Sequence, residues 1–221
     1  MTKAALFDLD GTLVDSREDI ASSVNRMLRD MGYPARDERE IYGYIGGGVH
    51  KLVLASLPPE SVTGKPASDI VDEGVERFWR IYKDHVLDTT APYDGVRKAL
   101  KTLSGISGLK LGVATNKPLT HARLILSGLN LSGLFSCVKG WVPGLPVKPD
   151  PAILLLALRD MDISPSDAIM VGDGTNDLLA ARAAGMKCCL VGYGYGDKAR
   201  LLEAGPDFFA ERVEDLKEII G

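Results

Sequence analysis

Apolar residues gather into four short runs, at residues 4–7, 109–114, 168–171 and 188–191. Runs of this length with almost no polar interruption predict strands buried on both faces, as in a parallel sheet. Residues 135–138 and 207–210 are shorter candidates. Between them the spacing turns helical, and the ends can be read. Asp94 is placed to cap a helix reaching Leu103, and Pro118 sits at the start of one running toward Leu129. Asp150 and Pro151 form a cap and first turn ahead of residues 153–161. Residues 175–184 stop at Gly185, and residues 197–204 stop at Gly205. Strand and helix therefore alternate from Leu109 onward, which predicts an α/β fold with a doubly wound parallel sheet.

Residues 16–91 break that rhythm. Ser16 with Asp19 has the spacing of a capping box, opening a helix that closes at Gly32. A second helix can follow Asp37, a third spans about 49–57, and a long one runs from about 67 to 87. No strand pattern occurs among them. The expected organisation is a core of residues 1–15 and 92–221, interrupted after its first strand by a helical domain of residues 16–91. There is no internal repeat and no low-complexity tract.

Composition narrows the class. Hydrophobic residues make up 45% and charged residues 25% of the 221 positions, as in ordinary folded proteins. Lys and Arg number 26 against 30 Asp and Glu, a net charge of −4. Without a long basic run, duplex nucleic acid and anionic membranes are not expected partners. No apolar run approaches the ~18 residues of a membrane helix. The apolar run after Lys3 is broken by Asp8, too early for a signal peptide, so a cytoplasmic location is expected. Cys137, Cys188 and Cys189 lack CxxC spacing and read as small buried hydrophobes. His50, His85 and His121 are scattered. No heptad or long amphipathic seam stands out, so a monomer or weak homodimer is expected.

The chemistry-bearing residues fall where strands end. The first strand runs into Asp8-Leu9-Asp10-Gly11-Thr12, the second into Thr115-Asn116-Lys117, and the third into Gly172-Asp173-Gly174-Thr175-Asn176-Asp177. Ligands of open α/β sheets bind beyond the carboxyl ends of the strands. Asp8 and Asp10, two apart, point to one side of an extended chain, and Gly11 permits a sharp turn. Carboxylates held close repel unless a cation lies between them. Asp173 adds a third. Three carboxyls without histidine or cysteine describe a hard-ion site suited to Mg²⁺ with several retained waters. With a Thr hydroxyl, an Asn amide and the loop cation Lys148, that site meets the needs of a phosphoryl group. Asp is able to act as nucleophile, and a second Asp as acid and then base. Taken singly, Asp8 and Asp10 read as turn residues, Thr115 as a capping hydroxyl, Lys148 as a solvated lysine and Asp173 as a loop residue. Their joint placement at successive strand ends carries the reading.

These residues, with Lys148-Pro149, resemble the four motifs of the haloacid dehalogenase superfamily, in family order and along the whole chain. The resemblance implies a Rossmann-like core with an inserted four-helix cap at 16–91. It implies Asp8 as nucleophile and Mg²⁺ ligand, and Asp10 as general acid/base lending its backbone carbonyl to the metal. Thr115 and Lys148 would hold phosphoryl oxygens with Asn116 beside them. Asp173 would be a metal ligand, and Asp177 would orient the metal shell. Thr12 stands where related phosphomutases often carry valine, and Asp10 separates the chain from the dehalogenases proper.

Within the superfamily the chain is most similar to phosphoglycolate phosphatases. The segments that carry this are Asp10 to Ser16, Pro92-Tyr93-Asp94-Gly95-Val96, Ala114-Thr115-Asn116-Lys117 and Val191-Gly192-Tyr193-Gly194-Tyr195-Gly196. Gly174 departs from the Ser of many relatives, with consequences for local packing. Gly46-Gly47-Gly48, then His50 and Lys51, resembles a cap segment that faces the active site. There Lys51 or His50 would contact a small carboxylate, or the glycines simply break two helices.

Gly64-Lys65 is no phosphate-binding P-loop, since Pro59 replaces the earlier glycine and Pro66 the Ser or Thr. Gly192, Gly194 and Gly196 lack dinucleotide spacing and read as a flexible turn. Phe78, Trp79 and Tyr82 are expected to pack the long helix. The expected function is Mg²⁺-dependent hydrolysis of a small phosphorylated metabolite, 2-phosphoglycolate first, through an aspartyl-phosphate. The alternatives are a nucleotidase, a pyrophosphatase, a sugar-phosphate phosphatase or phosphomutase of the same superfamily. From another class comes a phospho-acceptor signalling domain, although such modules are shorter and lack the insertion.

Overall fold

The computed structural model describes residues 2–59 and 66–221; Gly64-Lys65 lies outside them. In chain order the elements are β1 (Ala4–Phe7), β2 (Val14–Asp15), α1 (Arg17–Asp30), α2 (Glu38–Tyr42), α3 (Val49–Ser56) and α4 (Ala67–His85). After them come β3 (Ala91–Pro92), α5 (Val96–Ser104), β4 (Lys110–Pro118), α6 (Leu119–Gly128), β5 (Cys137–Trp141) and α7 (Ala152–Met161). The chain ends with β6 (Ala168–Gly172), α8 (Thr175–Ala184), β7 (Lys187–Val191), α9 (Lys198–Glu203), β8 (Phe208–Ala210) and α10 (Leu216–Ile220). No helix of the described residues is long and apolar enough to cross a membrane.

Among the described residues a six-stranded sheet runs in the order β5-β4-β1-β6-β7-β8, all parallel. β1 lies between β4 and β6, so Phe7 is level with Val113 on one side and Val171 on the other. Parallel strands covered on both faces leave no room for polar side chains. Ala4, Ala5, Leu6 and Phe7 are accordingly all fully buried. One core cluster joins Leu6 and Met170 from the sheet to Ile153, Leu154 and Leu158 of α7 and to Leu178 and Ala181 of α8. Cys137, Cys188 and Cys189 are buried free thiols. Burial pushes the Cys189 thiol up to about 12 and raises the other two, which leaves all three unreactive.

The chain divides into two compact units, residues 1–15 with 91–221, and residues 16–90. The expected boundary after residue 91 moves by one because Ala91 pairs with Asp15. The two-residue strands β2 and β3 form a small antiparallel ladder, too short to leave a periodic signal. In the second unit α4 buries Val71, Val75, Phe78 and Tyr82, while α1 buries Ile20, Val24, Met27 and Leu28. Phe78 stacks on Tyr82 with ring centroids 5.2 Å apart and meets Trp79 edge-on at 4.9 Å, a packing role as expected.

Helix ends depart from the sequence pattern at two places. Ser16 precedes α1 but its side chain makes no capping bond. Asp19 reaches Thr89 and Thr90 instead. Asp94 does not cap α5, since the chain turns through Gly95 in the left-handed conformation at φ +86° and Gly95 takes the cap position. Elsewhere the caps hold: Asp37 accepts from Arg39 N, Asp150 from Ala152 N, and Asp197 from Arg200 N.

Candidate active site

The carboxyl ends of β1, β4 and β6 are neighbours, and the polar motifs meet there. Asp8 follows β1 directly, and its backbone N–H donates to Val171 O at 2.9 Å. Beyond it the chain doubles back through Gly11 at φ +79°. A Cβ on Gly11 would stand 2.1 Å from Asp173 Oδ2, so the turn needs glycine for space as well as for conformation. Carboxylate oxygens of Asp8, Asp173 and Asp177 all lie within 4.8 Å of one another.

Lys148 is the cation of this cluster. Its Nζ donates to Asp177 Oδ1 at 2.5 Å and to Ala114 O at 2.9 Å, and lies 3.1 Å from Asp8 Oδ1. Burial alone would lower its pKa, but Asp177 and Asp8 outweigh that and the net direction is upward. The loop lysine expected from sequence is therefore an inward-turned, fully ionised group. Asn116 fixes it: the amide Oδ1 accepts from Lys148 N at 2.7 Å, and Nδ2 donates to Lys148 O at 3.0 Å. The Asn116 amide thus holds the Lys148 backbone, a different use from the phosphate contact expected of it. Thr115, 2% exposed, sits beside it, with its hydroxyl accepting from Lys117 N at 3.2 Å.

Asp173 Oδ2 accepts from Tyr195 N at 2.8 Å, and Thr12 Oγ1 lies 3.4 Å from Asp173 Oδ1. Burial first, then the charges of Asp177 and Asp8, pushes the Asp173 carboxyl up to about 8. Burial also raises Asp177, although Lys148 pulls it back. Asp177 closes the first turn of α8, its Oδ2 accepting from Gly174 N at 3.1 Å. The expected flexible turn at 192–196 is instead packed closely on this site. A Cβ on Gly194 would meet Gly11 O at 2.2 Å and Asp173 Cβ at 2.3 Å. Neither glycine spacing nor the tyrosines signalled that target, which lies far away in sequence.

Asp10 is treated differently from the other carboxylates. Its two oxygens lie 2.9 and 3.0 Å from Lys117 Nζ, so the second aspartate of the motif has an ammonium of its own. The side-chain cluster is therefore Asp8 with Asp173 and Asp177, where sequence spacing had paired Asp8 with Asp10. Three oxygen donors with one lysine leave negative charge in excess, which adds to burial in raising the Asp173 carboxyl. An oxygen-only, over-negative donor set fits a hard divalent cation such as Mg²⁺ and offers nothing to a soft metal. Lys51 and His50 lie on α3 in the other unit. Lys51 is exposed along Gly47, and His50 Nε2 is 3.6 Å from Asp72 Oδ1.

A parallel sheet with carboxylates at the ends of adjacent strands, a buried lysine and an inserted helical unit defines a class. Residues 5–191 match the family described as Haloacid dehalogenase-like hydrolase, and the chain belongs to that family. It is 33% identical over 220 residues to a phosphoglycolate phosphatase of Pseudomonas savastanoi pv. phaseolicola, covering 100% of this chain and 79% of the relative. A phosphoglycolate phosphatase of Nitrosospira multiformis is 34% identical over 218 residues, covering 99% and 95%. Among solved structures, one from Haemophilus somnus 129PT, described as a "predicted phosphoglycolate phosphatase", superposes with a TM-score of 0.90. It is 29% identical, covering 100% of this chain and 98% of that one.

Proposed function

We propose that this protein is a Mg²⁺-dependent phosphatase that hydrolyses a small phosphomonoester, 2-phosphoglycolate, through an aspartyl-phosphate on Asp8. The observation that carries the chemistry is the meeting of Asp8, Asp173, Asp177 and Lys148 at adjacent strand ends. The names of the full-length relatives support the substrate.

In the first half-reaction an Asp8 oxygen attacks phosphorus and the ester P–O bond breaks. Asp10 gives its proton to the departing alkoxide oxygen. In the second half-reaction water attacks, the Asp8–phosphorus bond breaks, and Asp10 takes the water proton. Lys148 and Thr115 hold phosphoryl oxygens, and Asn116 keeps Lys148 in place. Mg²⁺ held by Asp8, Asp173 and the Asp10 backbone carbonyl, with Asp177 beside it, would offset the repulsion between carboxylate and phosphate. Residues 16–90 serve as the cap, with Lys51 as contact for the substrate carboxylate. A cytoplasmic location and a monomer or weak homodimer complete the reading.

Phosphate release from 2-phosphoglycolate, sugar phosphates, nucleotides and pyrophosphate, with Mg²⁺ or chelator, tests it. We expect turnover that requires metal and falls at least ~10³-fold in Asp8→Asn, since the nucleophile is lost. Preference for a nucleotide or pyrophosphate would keep the chemistry and replace the substrate. Well-folded protein with Mg²⁺ and no turnover on any compound would overturn the proposal.

A further inference from the structure

Lys117 has no part in the roles assigned so far, yet it is the cation that meets Asp10. It lies on β4 two positions after Thr115, in the stretch between Ala114 and Pro118 where the register with β5 shifts. Its side chain is 4% exposed and Asp10's is 18% exposed. A buried ammonium is costly unless paired, and the contact to both Asp10 oxygens supplies the pairing. The Thr115 hydroxyl accepts from Lys117 N, which helps fix where the lysine side chain starts. Two contacts from one ammonium to a carboxylate restrict where its oxygens can point.

We propose that Lys117 is a positioning residue that aims Asp10 during hydrolysis of the aspartyl-phosphate. This rests on the reading of Asp8 as nucleophile and Asp10 as acid/base. In that half-reaction the water oxygen bonds to phosphorus, the Asp8 oxygen–phosphorus bond breaks, and its electron pair returns to the Asp8 carboxylate. The water proton passes to Asp10. Lys117 contacts both oxygens of the side chain that takes this proton, so loss of that contact misaims the base and slows water attack.

The test labels the enzyme with 2-phosphoglycolate carrying ³²P, with Mg²⁺, then chases with unlabelled substrate and follows loss of label from Asp8 by acid quench. Labelled 4-nitrophenyl phosphate serves as a second probe. In Lys117→Met we expect the label to decay ~10- to 100-fold more slowly, the size of effect that loss of aim to a general base produces. Lys117→Arg should recover most of the rate. In an Asp10→Asn background, Lys117→Met should change the decay less than about twofold, because a residue acting through Asp10 has nothing left to aim. Lys117→Gln repeats the comparison if the Met variant does not fold. Decay at the wild-type rate in the Lys117 variants, or the same loss with Asp10 already replaced, would overturn the inference and leave the phosphatase reading intact. Wild-type enzyme that neither turns over nor takes label on Asp8 would overturn both.

Discussion

Asn116 and Lys117 are adjacent in sequence at the end of β4, and of the two only Asn116 was expected beside the phosphate. The structure separates them. Asn116 spends both amide atoms on the backbone of Lys148, and Lys117 spends its ammonium on Asp10. Those partners are 32 and 107 positions away along the chain, so no local spacing encodes them. The Asp8–Asp10 interval and the Gly11 turn were legible because they depend only on neighbouring residues and on the absence of a Cβ. For Asn116 the assignment has a measurable consequence. Asn116→Ala leaves a backbone N–H and C=O of Lys148 unpaired, which should cost about 1–3 kcal/mol of stability by urea denaturation. Activity should fall with it, since Lys148 loses its anchor. An Asn116→Ala protein with unchanged unfolding midpoint would show that the clamp contributes nothing.

Elements follow the same division between local and distant control. Strand positions were readable because continuous apolar runs have few alternatives, and the glycine stop of α8 holds in the left-handed Gly185. The capping box at Ser16 fails although its spacing is right. Asp19 takes four donors at once, the backbone N–H and hydroxyl of Thr89 at 2.9 and 2.7 Å and those of Thr90 at 2.9 and 2.6 Å. A buried carboxylate with four well-placed donors gains more than the one backbone N–H it would accept from in a capping box. Asp19 thereby ties the first turn of α1 to the last residues of the helical unit, 70 positions on. Asp19→Ala should destabilise the protein by about 2–4 kcal/mol, and Asp19→Asn should recover little because its NH₂ group would face donors. Chemical denaturation of both variants checks this, and a loss below ~0.5 kcal/mol in Asp19→Ala would refute the role assigned to Asp19.

For the whole molecule, the parallel sheet and the inserted helical unit were legible from alternation and its interruption. The strand order was not, because it is fixed by pairing across the sheet. That order puts β1 between β4 and β6 and so brings three separate motifs to one edge. The same convergence ties metal, pH and stability together. Asp173, raised to about 8, and Asp177, raised by burial, carry protons in the metal-free fold at pH values where the unfolded chain has lost them. A carboxyl raised by folding works against the fold as it ionises. Its contribution to stability falls as pH climbs from the ordinary value of 3.8 through the raised one. A bound cation reverses this, because it needs those groups ionised and must displace their protons. The apparent Mg²⁺ affinity should therefore rise with pH up to about 8, by as much as ~tenfold per unit for one displaced proton, and then level off. Calorimetric titration in buffers of different ionisation enthalpy should show more protons released at pH 6.5 than at pH 8.5. The gain in melting temperature on adding a fixed Mg²⁺ concentration should be larger at pH 8 than at pH 6. A gain that is the same at both values would mean that the carboxyls crowding this strand edge are not the groups that hold the ion.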